Sequence, residues 1–150
     1  MQPAFLFEAA PFAACHASTI AETGAGAGPG SRRGLVAAFF AGDREGARNV
    51  GIWVSRQTGD GWTAPLAVAS GAHRGRACPC WNPVLFQPRG GPLHLFYKEG
   101  PSPRRWWGVH MVSSDGGATW TPPARLPHGI LGPIKNKPIE RRDGTWLSPS

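Results

Sequence analysis

Ser113-Ser114-Asp115-Gly116-Gly117-Ala118-Thr119-Trp120 is the stretch from which the rest of the chain can be read. A strand-like run, Trp107-Gly108-Val109-His110-Met111-Val112, leads into it, and the Pro-marked segment Thr121-Pro122-Pro123-Ala124-Arg125-Leu126-Pro127 follows. The Asp115 carboxylate can accept hydrogen bonds from backbone N–H groups a few residues on. Gly116 and Gly117 supply positive φ, and Trp120 offers a large ring to bury where the turn ends. The octet is therefore predicted to be a tight β-turn that staples the fold rather than a ligand contact.

Upstream, Ser55, Gly59 and Trp62 recur at one constant offset from Ser113, Gly117 and Trp120, with Gln57 standing where Asp115 stands. This reads as a degenerate first copy of the turn, in a repeat of about sixty residues. The repeat reaches the flanking strands. Residues 16–40, with the continuously apolar Gly34 to Phe40, form one predicted hairpin. Residues 81–98, turning at Arg89-Gly90-Gly91, form a second, and residues 134–147, turning at Asp143-Gly144, a third. Ala4 to Phe7 reads as a short leading strand. No segment carries a helical period, and 21 Gly with 16 Pro suit many short strands joined by turns. The predicted class is all-β.

The octet fits the pattern S-x-D-x-G-x-T-W at every fixed position and resembles the Asp-box, or bacterial neuraminidase repeat, of the sialidase superfamily. The resemblance implies a six-bladed β-propeller of four-stranded blades, with Ser113, Asp115, Gly117, Thr119 and Trp120 as the structural box, away from the catalytic face. A chain of 150 residues then holds about two and a half blades. The expectation is one partial domain over 1–150, whose partners include missing C-terminal blades of the same protein.

A net charge of +7 points to an anionic partner, either an acidic carbohydrate or nucleic acid. Arginines come in pairs at 32–33, 104–105 and 141–142, each beside a turn signal. No run of five basic residues and no nucleic-acid module occurs, so nucleic acid is set aside. Three cysteines, Cys15, Cys78 and Cys80, are too few for a disulfide framework and have no second Cys/His pair to complete a metal site. Buried thiols, no metal and no cofactor are expected. Met1 to Glu8 has no basic leader and no apolar run long enough for a signal or a membrane span, which leaves the compartment open and no membrane partner expected.

Chemistry in a propeller gathers where the innermost strands begin. The repeat puts His16 there for the first blade, Trp81 and Asn82 for the second, and Lys135 and Lys137 for the third, with the Asp43 to Asn49 loop overhanging. Cations (Arg44, Lys135, Lys137) suit a carboxylate, amide and carboxylate groups suit hydroxyls, and Trp81 suits an apolar sugar face. His16 and Glu45 are the candidate catalytic pair. His94 and His110 fall inside strands and read as satisfied imidazoles, while His73 and His128 lie in loops.

Where sialidases open the first inner strand with Phe/Tyr-Arg-Ile-Pro, this chain reads Cys15-His16-Ala17-Ser18, so His16 replaces a carboxylate-gripping Arg. No Asp stands in register near Arg48-Asn49-Val50. The segments around Cys15–Thr19, Trp81–Phe86 and Gly132–Pro138 look like those of a divergent sialidase-like branch. Some sialidase-fold enzymes of this kind act on rhamnosyl-glucuronate ends with a His in the site, which makes His16 a candidate acid/base. The resemblance implies an exo-acting glycosidase removing a terminal acidic sugar. A lyase using His16, or a glycan-binding propeller without catalysis, are the alternatives.

Overall fold

The computed structural model describes residues 5–23, 34–59, 61–73 and 75–149. The Gly/Ala/Pro loop at 24–30 and the Arg32-Arg33 pair lie outside the described residues. The first antiparallel sheet comprises β1 (Ala14–Thr23), β2 (Gly34–Gly42), β3 (Gly51–Thr58), β4 (Gly61–Trp62), β5 (Leu66–His73) and β6 (Arg76–Cys78). Its order is β1-β2-β3-β5-β6, with β4 folded back on β3. The second sheet comprises β7 (Cys80–Phe86), β8 (Leu93–Glu99), β9 (Trp107–Ser113) and β10 (Ala124–Arg125), with each strand paired to the next. A two-stranded piece, β11 (Ile139–Glu140) and β12 (Trp146–Leu147), follows. Each sheet is a meander running from an inner to an outer strand, which is the blade of a β-propeller. The described residues build two blades and a hairpin of a third.

The two blades meet through alternate side chains. Val36, Ala38, Phe40, Ile52 and Val54 of the first pack against Leu85, Leu93, Leu95, Tyr97, Val109 and Met111 of the second, all buried in one cluster. The inner strands are also joined directly, since Leu85 N–H donates to Thr19 Oγ1 (3.3 Å). β2 is buried on both faces, as its continuous apolar run predicts. Phe39, on its far face, meets Phe7 and Phe12 at ring distances of 5.5 and 5.7 Å. The leading segment therefore packs by its aromatics; no strand forms at Phe5 to Phe7.

The box at the end of β9 is the predicted turn. Asp115 Oδ1 accepts from Ala118 N–H (3.0 Å), Thr119 N–H (2.9 Å) and Ser113 Oγ (2.8 Å), while Oδ2 accepts from Thr119 Oγ1 (2.6 Å). Ser113 Oγ in turn accepts from Gly117 N–H (2.7 Å). Gly117 is required twice over: its φ is +84°, and a Cβ there would lie 3.2 Å from Val36 Cγ1 of the first blade. Partial burial would raise the Asp115 pKa, but the bonds from Thr119, Ser113 and Ala118 outweigh it and hold the carboxyl at about 2. Asp115→Ala is expected to cost about 1–2 kcal/mol of stability, read as a lower urea midpoint. The carboxylate's contribution is complete above the unfolded value of 3.8 and drains as pH falls towards 2. A variant whose stability matches the parent at pH 6 would show that the turn holds itself.

The first turn departs from the expected copy. Thr63 closes it by donating its N–H to Arg56 O (2.8 Å) and accepting from Arg56 N–H at Oγ1 (3.0 Å), across seven residues. Thr121 makes the same pair of bonds with Val112 across nine. Gln57 pairs with Trp62 and Thr58 with Gly61, so a two-residue hairpin replaces the Asp-anchored loop. Ser55 lies within β3, fully buried, and is not the counterpart of Ser113.

The third hairpin is shorter than predicted, with strand only at 139–140 and 146–147. Its Asp143-Gly144 turn forms as expected, Thr145 N–H donating to Asp143 Oδ1 (3.0 Å). Trp146 docks edge-on against Phe86 (4.8 Å) and His94 (4.7 Å) of the second blade. His94 and His110 are satisfied by each other, Nδ1 to Nε2 at 2.9 Å, in nearly parallel rings. Burial, then the neighbouring His110, pushes the His94 pKa down from 6.5 to about 4, and burial lowers His110 as well. The unfolded chain thus binds more protons below 6.5, so stability present at neutral pH is lost as pH falls towards 4. Between pH 7 and 4.5 the expected loss is about 1–3 kcal/mol. It should shrink in His94→Phe; an unchanged acid slope in that variant would exonerate the pair.

Candidate functional site

The antiparallel registers bring the start of β1, the end of β2, the start of β3, the start of β7 and the end of β8 to one end of the molecule. The box lies at the other end, where β9 finishes opposite the start of β8. At the site end both inner strands bend in the same way. In β1 the register slips between His16 and Thr19, with Ala17 at φ 50°. In β7 it slips between Trp81 and Val84, with Asn82 at φ 44°. Asn accepts the left-handed region readily; Ala does so at about 1–2 kcal/mol. These two are the non-glycine residues with positive φ among those described, and both line one cavity.

That cavity measures about 380 Å³ and is lined by Ala17, Ser18, Asn82, Pro83, Ile134 and Lys135. Each of the three repeats contributes two adjacent residues. A hydroxyl, an amide and an exposed ammonium thus share one opening, and among the described residues no carboxylate is in the lining. Of the predicted residues, Asn82 and Lys135 line it directly, and His16 adjoins it. The His16 ring is exposed and stacks on Phe40 (5.7 Å, 29°).

Trp81 occupies the position in β7 that His16 occupies in β1, with the opposite outcome. Its ring is only 8% exposed, lies 5.9 Å from Phe40 and 5.7 Å from Trp106, and donates its indole N–H to Gly100 O (2.8 Å). The 43–49 loop covers it, since a Cβ on Gly46 would sit 3.4 Å from the ring. The expectation of a sugar platform is therefore corrected: burial makes Trp81 a core residue. Arg44 and Glu45 are exposed on that same loop but do not line the cavity. Lys137 donates its ammonium to the Ile20 carbonyl of β1, so it ties strands together rather than pointing a free charge into the opening.

Cys78 and Cys80 are buried free thiols, as expected, whereas Cys15 is exposed. Burial, then Glu99, raises the pKa of both buried thiols, which keeps them protonated. Among the described residues no cluster of His, Cys, Asp and Glu is arranged to hold a metal.

Two features at this end escape a linear reading. Arg104 and Arg105 lie exposed on a short 3₁₀ turn (Pro103–Arg105) after β8, adding positive charge at this end of the second blade. Lys98, in β8, is fully buried and donates to Pro133 O (2.6 Å), and burial lowers its pKa to about 8. A lysine that continues the strand run Leu93-His94-Leu95-Phe96-Tyr97, just ahead of Glu99, is the signal that could have marked it.

The profile of the BNR repeat-like domain family matches residues 33–150. No curated protein matches the chain. The matched span takes in the first meander from β2 onward, the whole second meander with its box, and the third hairpin, and the chain belongs to the BNR repeat-like domain family of the sialidase-like superfamily.

Proposed function

We propose that this propeller serves a carbohydrate-active enzyme that acts from the end of a glycan on a terminal acidic sugar. The observation that carries the reading is the convergence of Ser18, Asn82 and Lys135 from three successive repeats on one cavity. An ammonium there pairs with a sugar carboxylate, while hydroxyl and amide groups match ring hydroxyls. Arg44, on the overhanging loop, adds attraction for an anion. In a hydrolytic cycle His16 would protonate the departing glycosidic oxygen as water adds to the anomeric carbon, and the proton of that water would pass to Glu45 of the 43–49 loop or to solvent.

Among the described residues the cavity lining holds an ammonium, a hydroxyl and an amide but no carboxylate, which favours a second reading, because hydrolysis at a sugar ordinarily uses a carboxylate pair. In elimination from a uronate, Lys135 would neutralise the carboxylate and His16 would remove the C5 proton. The C5–H electron pair becomes the C4–C5 double bond, the C4–O bond breaks, and the leaving oxygen is protonated.

The protein should be assayed on a sialoside, on a glucuronate-ended oligosaccharide and on one whose glucuronate carries a further sugar at O4 as leaving group, following new reducing ends and unsaturated-uronate absorbance separately. Lys135→Ala is expected to raise KM about tenfold and leave kcat nearly unchanged, because a carboxylate grip is lost. An unaltered KM on every acidic substrate would remove the cavity from the reaction. Binding with no bond cleavage would make the domain a lectin.

A further inference from the structure

The ammonium of Lys98 has no role in the chemistry above, yet it is fully buried and serves a backbone carbonyl. A buried cation is costly unless its bonds bring something in return. Its acceptor is Pro133 O, itself in a fully buried residue, and the next two residues, Ile134 and Lys135, are the third wall of the cavity.

The same short segment is held at two further points. Gly108, the cross-strand partner of Lys98, lets the chain come so close that a Cβ would lie 2.4 Å from Leu131 O. Gly132 takes φ +67° and would place a Cβ 2.8 Å from Leu126 and 3.6 Å from Phe96. Residues 131–133 are thus pinned onto β8 and β9 by one ammonium and two absent side chains.

We infer that Lys98 is a positioning residue for the glycan site: it anchors Pro133 and thereby sets where Lys135 stands in the cavity. The inference rests on the site reading given above. It accounts for a buried charge near the end of β8, where a leucine would pack without desolvation cost. It also gives a reason for the tight approach at Gly108, which lets the Pro133 carbonyl reach an ammonium rooted in β8.

The test is a double-mutant cycle on affinity in the full-length protein, using a glucuronate-ended oligosaccharide and a neutral oligosaccharide of equal length. Lys98→Met keeps the stem and removes the charge, a change that buried ion sites often tolerate in folding. Lys98→Met and Lys135→Ala should each weaken acidic-glycan binding about tenfold, and the double variant should be no weaker than Lys135→Ala alone. The neutral glycan should be unaffected by Lys98→Met, and Lys98→Gln, which retains a donor, should recover part of the loss. A loss of stability alone would change the folded fraction but not this non-additivity.

If Lys135→Ala matters and Lys98→Met does not, or if their effects multiply, the positioning role is wrong and the site stands. If Lys135→Ala has no effect, the site reading itself fails. Should Lys98→Met not fold, Gly108→Ala displaces the segment with the ammonium still present. Weakening that vanishes in the Lys135→Ala background supports the role; unchanged affinity overturns it.

Discussion

On the proposed activity, His16→Ala is expected to lower kcat by about 10²–10⁴-fold while KM on the acidic substrate changes little. The size follows from what a positioned acid/base contributes, and the sign of the split follows from where the ring sits. His16 is exposed and adjoins the cavity lining at Ala17, one face stacked on Phe40. Removing it leaves Ser18, Asn82 and Lys135 to bind. Because the ring is exposed, the fold loses only that one stacking contact, so melting should barely move. Turnover surviving at parental rates would dismiss His16 from proton transfer. A raised KM with kcat intact would make it a binding group instead.

Trp81→Ala is expected to act in the opposite manner. Truncating a tryptophan that is 8% exposed should cost about 3–5 kcal/mol, through lost apolar contact and the cavity left behind. It also strips Gly100 O of its donor and leaves Phe40, Trp106 and the 43–49 loop unsupported. Glycan affinity per folded molecule should hold. A normal melting curve with weakened affinity would restore the sugar-platform role that burial argues against.

His16 and Trp81 show where sequence reading succeeds and where it stops. Their equivalence was legible, because strand patterns and turn signals repeat, and the register of both strands confirms it. Their different fates were not legible, because burial of Trp81 depends on a loop from the first blade reaching over the second, guided by a glycine without a side chain at 46. The box was legible in its turn chemistry, since Ser113, Asp115, Gly117 and Thr119 bond to one another locally, while Trp120 contributes its ring and not a bond. The first turn misled for the opposite reason: recurrence of Ser, Gly and Trp concealed the loss of two residues, and only the closing bonds of Thr63 reveal the register. Asn82 and Lys135 could be placed at one end of the molecule because the strand patterns repeat, and both line the cavity there. Lys98 was passed over because its partner lies across two turns of chain, at Pro133.

The matched bends at Ala17 and Asn82 bear on how such a scaffold changes its chemistry. The backbone takes the same left-handed step in both inner strands, although the sequences through it, His16-Ala17-Ser18 and Trp81-Asn82-Pro83, share no residue. The path of the chain thus acts as a socket, and the side chains beside it are interchangeable fittings. One socket holds an imidazole at the surface and another a buried indole, with no redesign of the sheet behind either. A propeller built in this way can trade one chemistry for another by point changes at its inner strand starts, while the box at its far end goes on holding its turn.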